Sequence, residues 1–150
     1  MLKSDSISDP QLREIYNQLR CNSYIDPFYL TYCRNKNILQ LEDLEVDLFF
    51  NKNKLRIMMY IADVTYFLDT YLGVGDTDKN MVDLSCFLTI LLDYNIGIHN
   101  YFGLNEIFLV KDIEPKDQNL KKIIAVLKEM KPVKNRIMEA CEERRRMYHD

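Results

Sequence analysis

Apolar residues recur at helical spacing along most of this chain. Leu12, Ile15, Tyr16 and Leu19 fall on one face of a helix. Ser8-Asp9-Pro10 ahead of them is a helix start, with a capping side chain and a proline in the first turn, where its missing N–H costs nothing. Asp26-Pro27 repeats that signal before Phe28, Leu30, Tyr32 and Cys33, and Asn35-Lys36-Asn37 closes the segment. Gln40–Phe50 places Leu41, Leu44 and Leu48 to one side, with acids around them. The polar interruption Asn51–Lys54 separates it from Leu55–Leu72, where Ile57, Tyr60, Ile61, Val64, Phe67, Leu68 and Tyr71 form an i, i+3/i+4 series. The β-branched and aromatic content of that stretch leaves a strand pair open, but its length favours a helix.

After a polar break at Gly73–Asn80, the helical period returns in Leu84, Phe87, Leu88, Leu91 and Leu92. Ile107-Phe108-Leu109-Val110 lacks it, so Glu106–Val110 is the one run that reads as a short strand. Pro115 opens a further helix with Leu120, Ile123, Ile124 and Leu127 inward, which Pro132 should stop or kink. Ile137 and Cys141 mark one side of a last helix over Val133–Met147. The pattern predicts a compact all-α, multi-helix domain spanning 1–150, with a flexible N-terminus over 1–8. Helices are expected near 9–20, 27–36, 41–50, 55–72, 84–95, 116–131 and 133–147. The expected core is Ile57, Ile61, Val64, Phe67, Leu68, Phe87, Leu88 and Leu91.

Composition supports a packed chain: 47% of residues are apolar and 29% charged, which argues against disorder. Four glycines and four prolines are too few for a turn-dense β-sandwich. A net charge of −3 offers no basic footprint for nucleic acid. No uncharged apolar run is long enough for a membrane span, and acid follows the first residues where a signal peptide would be apolar. An intracellular, cytoplasmic protein is the expectation. Cys21, Cys33, Cys86 and Cys141 lie far apart and, with only His99 and His149, make no zinc pattern. They read as reduced, structural cysteines.

One segment carries a family resemblance. Asp76, Asp78 and Asn80 stand at alternate positions, followed by Val82 and a helix-like run to Thr89. This layout resembles the loop and exiting helix of an EF-hand, as in calmodulin and myosin light chains. With Val82 at the loop's aliphatic position, the three residues take the first three ligand positions. The resemblance implies paired helix–loop–helix units and a grip on an amphipathic helix of a larger protein. The calcium chemistry is broken: the turn glycine is missing, and Cys86 stands where the bidentate glutamate belongs. A hard cation does not favour that sulfur. Asp76, Asp78 and Asn80 therefore read as vestigial, with no metal bound. The alternative is an ordinary polar turn, since Asp and Asn are common there.

Catalytic chemistry finds no support in the sequence. Phosphate loops, nucleophile elbows and zincin motifs are absent. His99 has no evident partner, and Asp63 and Asp69, six residues apart, fall on different faces of a helical wheel. The expectation is a non-enzyme without cofactor: a light-chain- or calmodulin-like module binding a protein partner without calcium. Seven methionines, ten tyrosines and seven phenylalanines suit an adaptable groove for a helix. Met58, Met59, Met81, Phe87 and Leu91 are the candidate partner-binding residues. An all-α scaffold or regulatory subunit, such as a viral Bcl-2-like bundle, is the alternative. The mixed charges of the C-terminal segment read as a solvated helix face, or else as a basic patch for an acidic partner.

Overall fold

The computed structural model describes residues 1–72, 78–100 and 105–149, with the side chains of 72, 78–80, 100, 148 and 149 left out. In order, α1 (Pro10–Cys21) precedes the strands β1 (Leu30–Cys33), β2 (Ile38–Leu41), β3 (Val46–Asn51) and β4 (Lys54–Asp63). Then come α2 (Val64–Leu72), α3 (Asp78–Asp93), β5 (Gly97–Asn100), β6 (Glu106–Ile113) and α4 (Asp117–His149). The six strands form one sheet in the order β1-β2-β3-β4-β6-β5. The all-α expectation is thus overturned: the fold is α+β, with an antiparallel sheet. The paired helix–loop–helix units implied by the EF-hand resemblance fall with it.

The correction has a physical cause. A strand buries every second residue, so its inward set also contains every fourth, which a helix shares. Ile57 and Ile61 satisfy both periods. Leu55 and Met59 are buried as well, with Arg56, Met58 and Tyr60 only partly covered between them. That alternation belongs to a strand. The predicted helices over 27–36 and 41–50 fail similarly: Asn35-Lys36-Asn37 and Lys52-Asn53 are hairpin turns, and Asn37 and Lys52 adopt left-handed φ of 55° and 58°. The predicted helix over 55–72 survives only from Val64. The expected strand at Glu106–Val110 is present and runs on to Ile113.

Contact density divides the chain into two compact units, Met1–Met59 with Val110–Leu127, and Tyr60–Leu109 with Lys128–Asp150. In the first, β1 to β4 form an antiparallel meander. Registers Leu30↔Leu41, Leu41↔Val46, Val46↔Met59 and Leu48↔Ile57 line up buried side chains across one sheet face. The other face carries a polar row: Thr31 meets Gln40 at 3.3 Å, and the Gln40 amide donates to Asp47 at 3.2 Å. Arg56 donates a fork of hydrogen bonds to Asp112 at 2.9 and 3.0 Å. Leu12, Ile15, Tyr16 and Leu19 of α1 are buried as predicted, and Asp9 caps that helix through Gln11 N–H and Leu12 N–H. Ile7, within the segment expected to be flexible, is fully buried, and its carbonyl accepts from Arg13.

The second unit packs α2 and α3 with the later part of α4. Pro132 does not stop α4, which runs unbroken for 33 residues. Met130 and Ile137, on either side of it, are fully buried, and Cys141 is 4% exposed. Burying Met130, Ile137 and the smaller Cys141 offsets a proline cost of about 3 kcal/mol. Among the expected core residues, Ile57, Ile61, Phe87 and Leu91 are buried, and Val64 and Phe67 are half-buried. Leu68 and Leu88 are instead exposed, at 47% and 40%. None of the described helices is long and apolar enough to cross a membrane.

Candidate interaction surface

Helix α3 is apolar on two faces. Its inward side places Asp83, Phe87 and Leu91 at successive i+4 steps, all buried. Its outward side exposes Met81 (47%), Val82 (60%), Leu88 (40%) and Leu92 (81%). Met81, Ser85, Leu88 and Leu92 follow i, i+4, i+7 and i+11, a straight helical stripe. Ser85, Cys86 and Thr89, also exposed, leave small gaps between the large side chains. Such gaps are the holes that knobs of an opposing helix enter. Leu68 of α2 and Ile98 of β5 are open in the same unit.

Two acids of α2 and α3 are paired with α4 on the inner side, while Asp93 at the end of α3 is exposed. Asp83 accepts from Arg136 of α4 at 2.8 Å, and Asp69 of α2 lies 3.8 Å from Arg144. These pairs fasten α2 and α3 to α4. A soluble helix ordinarily buries its leucines and exposes its aspartates. Here Asp83 is 9% exposed and Leu92 is 81% exposed. Outward side chains of α3 alone open an apolar area on the order of 400 Å², a size at which the largest patch of a single chain is often functional.

Of the five residues expected to bind a partner, only Met81 stands on this open stripe. Phe87 and Leu91 face the core on the same helix, Met59 is buried in β4, and Met58 is half-buried on the strand's opposite side. Val82, Leu88 and Leu92 were missed because their apolar character alone does not fix the helix phase. The signal present in the sequence was the width of the stripe: with 81, 82, 84, 87, 88, 91 and 92 all apolar, α3 has more apolar positions than one core face uses.

Asp76 lies outside the described residues. Helix α3 begins at Asp78, so Asp78 and Asn80 sit in helical backbone, where a calcium loop would need a turn. Among the described residues no cluster of three or more His, Cys, Asp or Glu side chains is placed to hold a metal ion. His99 is exposed on β5. Burial pushes the Cys141 thiol up to about 11, although the Thr70 hydroxyl beside it acts in the opposite direction. No family model, curated protein or solved structure matches this chain, so geometry alone carries the functional argument.

Proposed function

We propose that this chain is a non-catalytic protein-interaction module whose α3 outer face takes an amphipathic helix of a larger partner without calcium. The observation that carries this reading is the inverted pattern of α3, with a charged residue buried and four large apolar residues open. A helix is the occupant favoured by the stripe, because gaps at Ser85 and Thr89 alternate with knobs at Met81, Leu88 and Leu92. An area near 400 Å² is about half of what each side of a standard interface buries, so the stripe suits the apolar centre of a contact with a polar rim. Calcium independence is supported by the helical backbone at Asp78 and Asn80 and by Cys86, whose soft sulfur a hard cation does not favour.

The test pairs the full-length chain with the double variant Val82→Glu, Leu92→Glu. Both positions are exposed, so the variant should unfold at the wild-type temperature. A partner captured from native extract by the wild type should be lost by the variant and retained in calcium chelator. Hydrogen exchange across Met81–Leu92 should slow when that partner is bound. Equal capture by both proteins, or protection confined to other segments, overturns the assignment.

A further inference from the structure

A concave feature without any α3 residue in its lining is also present. The end of β4, the start of α2 and the C-terminal part of α4 enclose a half-open cleft of about 350 Å³. That volume is at the lower end of the range in which small-ligand sites occur. Tyr60, Tyr66 and Met138 give it aromatic and apolar walls, while Asp63, Glu139 and the Glu142–Arg145 pair supply its charges. Arg145 is committed to Glu142, where it makes a forked contact with both carboxylate oxygens. Asp63 and Glu139 form no ion pair among the described residues. One oxygen of Asp63 accepts from Thr65 N–H at 2.8 Å, capping α2, which leaves its second oxygen available.

We infer that this cleft binds an alkylammonium group, with the stem against Tyr60, Tyr66 and Met138 and the cation neutralised by Asp63 and Glu139. Arg145 and Arg146 both pair with Glu142, so Asp63 and Glu139 leave the wall net negative, and tyrosine faces attract cations through their ring quadrupoles. The phenol of Tyr60 reports the same environment: burial first, then the carboxylates Glu106, Asp63 and Glu142, push its ionisation upward. Anions are therefore disfavoured here and cations favoured. An apolar stem matters because Tyr60, Tyr66 and Met138 line the same cleft as the carboxylates; a bare metal ion would gain nothing from them. Both a free polyamine and a lysine side chain of a bound protein present this chemistry. The site does not depend on the α3 surface and is tested without any partner.

Two probes distinguish the sources: spermidine, and Nα-acetyl-lysine methylamide as a surrogate for a partner's lysine. The Nε-acetylated form of the second is the neutral control. The chain has ten tyrosines and no tryptophan, so tyrosine fluorescence follows binding directly. At low salt at least one charged probe should saturate the protein, with the neutral control at least about tenfold weaker, as expected when a charge-assisted contact is lost. Glu139→Gln and Asp63→Asn should each weaken binding about tenfold or more, the scale of one hydrogen bond to a charged group. The asparagine preserves the cap on α2. Saturation by spermidine alone assigns a free polyamine, and saturation by the lysine surrogate alone assigns a partner's side chain. Equal binding of the neutral control, indifference to both substitutions, or no saturation by either amine overturns the site.

Discussion

The phase of α3 can be tested by two substitutions five residues apart. Phe87 is 1% exposed and Leu92 is 81% exposed, although both are large apolar residues in the same helix. Phe87→Ala removes a buried ring and leaves a cavity, which costs about 3–5 kcal/mol. At about 2–4 °C per kcal/mol for a chain of this size, the melting temperature should fall by roughly 6–20 °C. Leu92 has less than a fifth of its surface covered. If full burial of a leucine stabilises by about 1.5–3 kcal/mol, its share here is roughly 0.3–0.6 kcal/mol. Leu92→Gln keeps a good helix former and should cost no more than about 0.5 kcal/mol. Urea unfolding followed by far-UV circular dichroism measures both changes. A loss below about 1 kcal/mol for Phe87→Ala, or above about 1.5 kcal/mol for Leu92→Gln, would mean that α3 is turned the other way. The stripe proposed for the partner would then be core.

Asp9→Ala should destabilise the protein by about 0.5–2 kcal/mol, because Asp9 caps α1. It also accepts from Asn37 at 2.7 Å, so a denaturation midpoint unchanged from wild type would contradict both contacts. A double-mutant cycle on Arg56 and Asp112, each about 30% exposed, should give a coupling of about 1 kcal/mol; zero coupling would show that the fork is not held in solution. Cys141, with its thiol pushed up from 9.0 to about 11, stays protonated longer in the folded state than in the unfolded chain. Stability should therefore decline as pH rises from about 9 to about 11, because only the unfolded chain releases that proton in this window. Cys141→Ala should flatten the decline relative to wild type. Alkylation at neutral pH should label the exposed Cys21 and Cys86 well before Cys141, and equal labelling would refute its burial.

Much of the local architecture was legible in the residues. The Asp9-Pro10 start of α1, its inward face, the strand at Glu106 and the helices around Phe87 and Leu120 all follow from capping chemistry and periodicity. These signals are local: a cap bonds to N–H groups two or three residues away, and a single helix face expresses its own period. The β1–β4 meander was not legible in that way, because Ile57 and Ile61 fit both periods. The choice was made by pairing with Leu48 and its neighbours across β3, which no single segment contains. Pro132 shows the same limit, since its local tendency to end a helix is outweighed by the burial of Met130, Ile137 and Cys141. For the candidate surface, the sequence provided an unusually apolar α3 but not its orientation. Only the tertiary structure, which fastens Asp83 to Arg136 and turns Phe87 inward, decided that Val82, Leu88 and Leu92 face outward. A helix with apolar residues on both sides has no intrinsic inside, and its neighbours determine which side is covered.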